Sequence, residues 1–278
     1  MSMQMHHPEW EGDTEQTELS SLLLQEMSPI IPPLQLNQTL RSNLMQRVSN
    51  SIAAHAGLVT VRFGQGVWQT LKVGIRFKPL WKGKQGNSVL IEFAPGASLP
   101  AHRHNWLEEG IVLEGRLQMD DLDLGPMDYH ISPTGSHHGA IRSQQGAIAY
   151  LRGTSLGDKA AVWKELLGGA LPMAKNLSGT VFADSDTVWK TIAPGVKMKQ
   201  LSADGEWVSR FYQMEPHACV PAHIHHLPEE CMMLQGEVFL GDILLRKGDF
   251  QIAPAGSGHG EVYTDVGATL FVRSALDY

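Results

Sequence analysis

Apolar residues in this chain fall into short runs such as "SVLIEFAPG", "GIVLEGRLQM", "EVFLGDILLRKGDFQIAP" and "GATLFVRS", rich in branched and aromatic side chains and punctuated by Gly, Pro or Asp. Runs of this length between turn residues predict strands, and their regular spacing predicts an all-β barrel or sandwich. Gly241-Asp242, between "EVFL" and "ILLR", predicts a tight hairpin, and Asp120-Asp121 holds the same place earlier in the chain. Two stretches follow a helical period instead. Leu36, Leu40, Leu44, Val48 and Ile52 recur every fourth residue, which predicts an amphipathic helix over 36–56 with Asn37 as N-cap and Gly57 as its stop. Its apolar stripe is expected to lie against a barrel, with a protein partner or a second copy as the alternative. A shorter helix is predicted over 157–169, "GDKAAVWKELLGG", capped by Asp158. Residues 1–33 are expected to hold a helix around "TELSSLLLQEM" before the stiff "SPIIPP".

The strand pattern occurs twice. At an offset of 121 residues, Trp68 to Arg152 aligns without a gap on Trp189 to Arg273. Gly74 falls on Gly195, Pro100 on Pro221, His102 and His104 on His223 and His225, Glu108 on Glu229, Gly115 on Gly236, Pro133 on Pro254, Gly135 on Gly256, and His138 on His259. Roughly a third of the aligned positions are identical, so the chain is a tandem duplication. The organisation read from this is an arm with the amphipathic helix (1–57), a first domain (58–156), a linker helix (157–176) and a second domain (177–278).

With 278 residues, 42% hydrophobic and 18% charged, the chain can bury a substantial core. Its net charge of -7 argues against direct nucleic-acid binding, which needs a basic surface to replace phosphate counterions. No apolar run approaches the roughly 20 residues that span a bilayer, and the opening lacks the basic and apolar regions of a signal peptide. A cytoplasmic protein with no membrane partner is the expectation. Two cysteines, Cys219 and Cys231, with no CxxC pair, supply neither a disulfide framework nor a zinc ribbon. The 13 histidines change the picture, because they bunch at 102–104, 137–138 and 223–226.

In a strand, His102 and His104 point to one face and Arg103 to the other, and the same parity joins His223 and His225. Glu108 follows four residues after His104, and His138 arrives later on "SPTGSHH". Three imidazoles and a carboxylate converging inside a barrel suit a metal cation, since a buried carboxylate without a partner is costly. The plainer alternative is that these groups line a barrel without metal. Imidazole with carboxylate suits zinc, iron, manganese, nickel or copper, and ligand type alone does not choose among them; zinc and iron are the expected ions. A four-ligand zinc would be closed, whereas an octahedral metal would keep open positions.

"HRHNWLEEGIVLEG" and "HIHHLPEECMMLQG" resemble the first cupin motif, and "GDFQIAPAGSGH" resembles the second. The resemblance covers both repeats and implies a bicupin of two jelly-roll barrels. It implies a divalent metal held by His102, His104, Glu108 and His138 in one and by His223, His225, Glu229 and His259 in the other. The first repeat departs at Met127, where the second motif has glycine, so that turn is expected to differ. "VWQTLKVGIRFKPL", "APGASLPAHRH", "EEGIVLEG" and "SPTGSHHG" are most similar to the cupin domain of the ChrR family of anti-sigma factors, in which a helix like "LRSNLMQRV" joins a zinc-binding, sigma-inhibiting domain to the cupin. The opening "MHHPEW" also resembles the start of such a protein. The family's zinc motif H-x-x-x-C-x-x-C is absent here, and no cysteine precedes Cys219.

Glu109 and Glu230, next to the candidate ligands, could be ligands in their place, but the spacing to Gly115 and Gly236 favours Glu108 and Glu229, so the neighbours are expected to bond those ligands or face solvent. His137 and His226 have the opposite parity and are expected to be exposed. Arg152 and Arg273 are read as structural ion-pair partners rather than substrate contacts. Cys219 and Cys231 have the parity of the second barrel's interior and are read as small apolar fillers, with oxidant sensing as the sharper alternative.

Two functions remain. One is a regulator of the ChrR type, in which the metal-loaded barrels sense a small molecule or oxidant and the arm passes the state to a transcription partner such as a sigma factor. The other is a non-haem metal-dependent dioxygenase acting on a small carbonyl or phenolic compound. No acid or base stands out beyond the ligands, which favours the regulator. A protein whose metals only brace the barrels is a weaker third reading.

Overall fold

The computed structural model describes residue 18, residues 20–24, 33–168, 178–183, 185 and 188–276. The "MHHPEW" opening, most of "SPIIPP" and residues 169–177 of the linker lie outside the described residues. Two compact units are present, one covering Met1–Ser51 and the other Ile52–Tyr278.

In the first unit, Glu18 and residues 20–24 are helical, and helix α1 runs over Leu34–Ala54. It begins earlier than its sequence signals suggest, because the Asn37 N–H already bonds Pro33 O at 2.9 Å. Asn37 is therefore inside the helix and not its cap. Leu36, Leu40, Leu44, Val48 and Ile52 are all exposed, and no residue of α1 is buried.

The second unit is built from strands, as its pattern predicts. In each repeat the strands form facing sheets of a jelly roll without closing into a continuous barrel. The first repeat's main sheet holds Gln69–Lys72, Ile75–Gly83, Gly86–Phe93, Glu108–Gly115, Tyr129–Ser132 and Ala147–Thr154, and Ser98–Leu99, Leu117–Met119, Leu122–Leu124 and Ile141–Arg142 form the opposing layer. Ile75, Phe77, Val89, Ile91 and Phe93 meet Leu117, Met119 and Leu124 between these layers. The second repeat has an equivalent core of Val196, Met214, Met233, Val238, Leu245 and Leu270.

Strand alternation explains how the repeats join. Along Glu108–Gly115, Glu108 and Val112 face the first jelly roll's interior, while Ile111 and Leu113 face outward into a second core. There they pack with Leu90, Tyr129 and Tyr150 against Phe211, Met232, Leu234, Phe250 and Phe271 of the other repeat. This shared core is tightly shut: Tyr129, Tyr150, Met232, Phe250 and Phe271 are each 0% exposed.

Each repeat also lends a strand to the other. Val59–Val61 pairs antiparallel with the second repeat's strand, Val59 opposite Ile252, and Gly179–Val181 pairs with the first repeat's strand, Gly179 opposite Ile131. The segment behind each lent strand is tied back by a buried lysine. Lys78 Nζ donates to the carbonyls of Arg62, Phe63 and Gln65 at 2.6–3.0 Å, and Lys199 Nζ donates to Ser185 Oγ at 3.1 Å. Three carbonyls can satisfy an ammonium that burial otherwise penalises.

Between the repeats, helix α2 runs over Lys159–Gly168. Asp158 caps it as expected, its Oδ1 accepting the N–H groups of Ala160 and Ala161 at 3.0 and 3.1 Å. The hairpin turns are also as read: Asp120 and Gly241 both take positive φ, 50° and 62°. At Met127 the expectation of a different turn is corrected. Met127 has φ 72°, the left-handed conformation that Gly248 holds at 83° in the second repeat, so the turn is the same and the side chain bears the strain.

Candidate metal centres

The first group is assembled from three short segments. The strand His102–Arg103 pairs with His137–His138, His102 opposite His138. Backbone bonds from His104 N–H to Ser136 O and from Gly135 N–H to His104 O fix the next residue. Glu108 opens the long strand beside them. His102, His104, Glu108 and His138 then offer donor atoms that all lie within 4.8 Å of one another. The ring centroids stand 4.5 Å apart for His102 and His138, 4.9 Å for His104 and His138 and 5.1 Å for His102 and His104.

The rings are oriented for a shared centre. His102 Nδ1 lies 3.1 Å from Pro100 O and His138 Nδ1 lies 2.9 Å from Gly139 O, which places the proton on Nδ1 and leaves Nε2 as a lone pair. His104 is 2% exposed and neither ring nitrogen has a hydrogen-bond partner. Burial, with His102 and His138 adding, holds its pKa at about 2, and burial holds His138 at about 4. Burial also lifts the Glu108 carboxyl to about 8, with Glu165 adding and a Thr154 hydrogen bond opposing. Neutral buried imidazoles with orphaned nitrogens beside a destabilised carboxylate fit a cation: it would satisfy the orphans and restore the charge.

The second group has the same plan with looser closure. His223, His225 and Glu229 offer donors within 4.8 Å of one another. His259 stands beside them and not in that cluster, its Nε2 3.5 Å from Glu229 Oε1 and its ring 4.7 Å from His225 but 5.7 Å from His223. Its Nδ1 has no hydrogen-bond partner, whereas the equivalent His138 nitrogen bonds Gly139 O. Both nitrogens of His225 are likewise orphaned, and burial holds its pKa at about 4.

The surroundings differ more than the groups do. In the first repeat, α2 packs beside the His102 strand and brings Glu165, 7% exposed, to a cavity of about 240 Å³ that also touches His102, Glu108 and Thr154. Glu165 Oε1 accepts hydrogen bonds from Asn105 N–H at 3.1 Å and the Ser155 hydroxyl at 2.6 Å. In the second repeat a cavity of about 340 Å³ reaches His223, Glu229 and His259 through walls of Met214, Leu240, Leu270 and Val272, with Tyr212 the one hydroxyl among its described lining. The sequence marks α2 as a helix but not which of its faces turns inward, so Glu165 was not legible.

Several expectations about neighbouring residues are corrected. Glu109 and Glu230 neither face solvent nor bond the candidate ligands. Being one residue on, they point into the shared core, 0% and 8% exposed. Glu109 lies 3.1 Å from Arg273, and Glu230 lies 3.2 Å from Arg152, so the arginines are the ion-pair partners expected, across the repeat boundary. His137 is half-buried, not exposed, while His226 is exposed as expected. Cys231 lines the second cavity, but burial and Glu229 raise its pKa and hold the thiol protonated. Cys219 is partly exposed and donates to Glu261 at 2.8 Å.

The fold agrees with the comparisons. The ChrR Cupin-like domain matches twice, over residues 56–155 and 178–275, and the chain belongs to that family. Its structure is similar to that of a dioxygenase candidate from Nostoc punctiforme, with TM-score 0.59 and 17% identity over 80% of this chain and 86% of that one. It is also similar to an oxalate decarboxylase from Lactobacillus farciminis in complex with formate, with TM-score 0.57 and 15% identity over 79% of this chain and 87% of that one. A deletion mutant of Bacillus subtilis oxalate decarboxylase gives TM-score 0.53 and 17% identity over 78% of this chain and 76% of that one. At such identities the likeness speaks to fold. A comparison with curated proteins finds no match. Among the described residues, no helix is long and apolar enough to cross a membrane.

Proposed function

We propose that the protein is a two-metal regulatory bicupin of the ChrR type, in which the second metal centre receives a small molecule and α1 carries the response to a protein partner. His102, His104, Glu108 and His138 would hold one divalent ion and His223, His225, Glu229 and His259 the other, zinc or iron being the expected metal although the ligand set also suits manganese or nickel. When bound, such an ion supplies an electrophilic coordination site. The observation that carries the reading is the asymmetry: the second cavity opens onto its histidines through an apolar wall, while α2 and Glu165 crowd the first. The first centre then braces its jelly roll, because metal binding free energy is also folding free energy. The exposed stripe of α1 supports a partner, with an RNA polymerase sigma factor as the expected one.

The test uses the full chain and its Leu44→Asp variant, with metal content measured in both. The proposal expects the wild-type chain to bind a sigma factor and the variant to lose it with metal unchanged, since a charge in an apolar contact is left unpaired. A second reading, a metal-dependent dioxygenase for a small carbonyl or phenolic compound, is favoured by the apolar second cavity. Failure to bind any sigma factor, with oxygen consumed in the presence of such a compound, would put the dioxygenase in its place.

A further inference from the structure

We propose that Glu165 is a working part of the first metal centre, and that an ion there locks the linker helix α2 onto the first repeat. This inference rests on the reading of His102, His104, Glu108 and His138 as a metal site.

Polar contacts that converge beside the ligands hold α2 in place. Among its described side chains Glu165 is the buried one, while Lys159, Trp163, Lys164 and Leu167 are exposed and Val162 packs partly against the first repeat's core. A helix of 10 residues with so small an apolar footprint is marginal by itself, and such a segment opens locally at low cost. What fastens it is Asn105, the residue after His104. The Asn105 N–H donates to Glu165 Oε1 at 3.1 Å and its Nδ2 donates to Ala161 O at 3.1 Å. The Ser155 hydroxyl donates to the same Oε1 at 2.6 Å. From the other side, Ser136 O and the Gly135 N–H hold the His104 backbone. The ligand loop is thus pinned between the segment leading to His138 and α2. At the same offset the second repeat has His226, exposed, and Leu276 in the places of Asn105 and Ser155, so this fastening belongs to the first centre.

The charge on Glu165 makes the contact depend on metal. Glu165 and Glu108 both line the cavity of about 240 Å³, and Glu165 acts on Glu108 as a like charge. The described partners of Glu165 are an amide N–H and a hydroxyl, which satisfy hydrogen bonds without supplying a positive charge. Lys72 touches the same cavity, but it is exposed and its ammonium donates to Ser98 O at 2.9 Å. A divalent ion among the imidazoles attracts both carboxylates, so the docked helix favours the ion. By linkage the ion favours the docked helix by the same factor. Loss of the ion then frees the helix that follows the first repeat in sequence.

The experiment uses the full chain at about pH 9, above the value of about 8 for the Glu108 carboxyl, so that protons do not compete with the ion. Zinc affinity is measured against a chelator. Opening of α2 is read as trypsin cleavage after Lys164 by mass spectrometry, relative to a free peptide, because cleavage tracks the open population. Zinc is expected to slow this cleavage about tenfold or more in the wild-type chain, and equally in a His223→Ala, His225→Ala chain where the first site alone remains. Glu165→Gln keeps an acceptor for Asn105 and Ser155 but removes the charge. It should weaken first-site zinc about 10–100-fold, shrink the effect of zinc on cleavage by the same factor, and leave second-site zinc and metal-free cleavage unchanged. Cleavage after Lys164 that is indifferent to zinc at a loaded first site, or a Glu165→Gln chain that binds zinc as tightly as the wild type, overturns this inference and leaves the metal site standing. A wild-type chain that holds no zinc at the first site overturns both.

Discussion

Replacing Glu109 should destabilise the protein more than any other single change to its charged core. Glu109 is 0% exposed and accepts hydrogen bonds from the Tyr129 hydroxyl at 2.7 Å and from the Ser209 hydroxyl. Arg273 lies 3.1 Å away and Arg152 3.6 Å. In Glu109→Ala, Arg273, itself 1% exposed, retains only the Ser209 hydroxyl at 3.3 Å and the Trp207 ring at 5.3 Å among the partners described. Neither neutralises a guanidinium, and removing one partner of a buried pair costs about 3–5 kcal/mol. Glu230→Ala is milder, about 1–3 kcal/mol, because Arg152 keeps Glu109 and the loss is mainly hydrogen bonds. The assay is urea unfolding at fixed metal load, comparing midpoints at equal slope. Glu109→Ala combined with Arg273→Met should recover part of the loss, since the orphaned charge is gone. A cost below about 1 kcal/mol for Glu109→Ala, or a double variant as unstable as the sum of its singles, refutes the reasoning.

Burial lifts Glu108 from 4.5 to about 8, so metal at the first site must displace a proton below that pH. In the metal-free protein this carboxyl contributes stability fully below 4.5 and loses it as pH rises through about 8, while zinc affinity of a His223→Ala, His225→Ala variant should rise about tenfold per pH unit until that point. A flat affinity profile between pH 5 and 8 would count against it. Gly115→Ala and Gly236→Ala should each cost more than about 2 kcal/mol in thermal or urea unfolding, because a Cβ there meets a backbone oxygen at 2.0 Å on top of positive φ. Gly96→Ala, with φ 78° but open space around it, should cost only about 1 kcal/mol. Mild peroxide, followed by mass spectrometry, should oxidise Cys219 before Cys231 and release no metal, since the Cys231 thiol is buried and protonated.

What was legible in the sequence follows from strand parity. A period of two puts His102 with His104 and separates Glu108 from Glu109, and both separations hold in the structure. Parity does not say what covers the opposite face. Solvent was the default for Glu109 and Glu230, and the other repeat is what covers them. The lent strands Val59–Val61 and Gly179–Val181 are three residues each, too short for their pattern to reveal a partner far along the chain. His259 matches His138 in sequence yet stands apart from its group, because ring placement depends on local bonds such as Gly139 O that a motif does not encode. Met127 shows the reverse: the glycine is missing and its backbone conformation persists, imposed by the strands on either side.

The central claim, two metal centres each carried within one repeat, is tested most directly by counting metal per chain. Protein purified without added metal and then saturated with zinc should carry about two ions. His102→Ala with His104→Ala should leave about one, and His223→Ala with His225→Ala should leave about one. Folded wild-type protein that retains no metal, or either pair of changes removing both ions, would contradict the account.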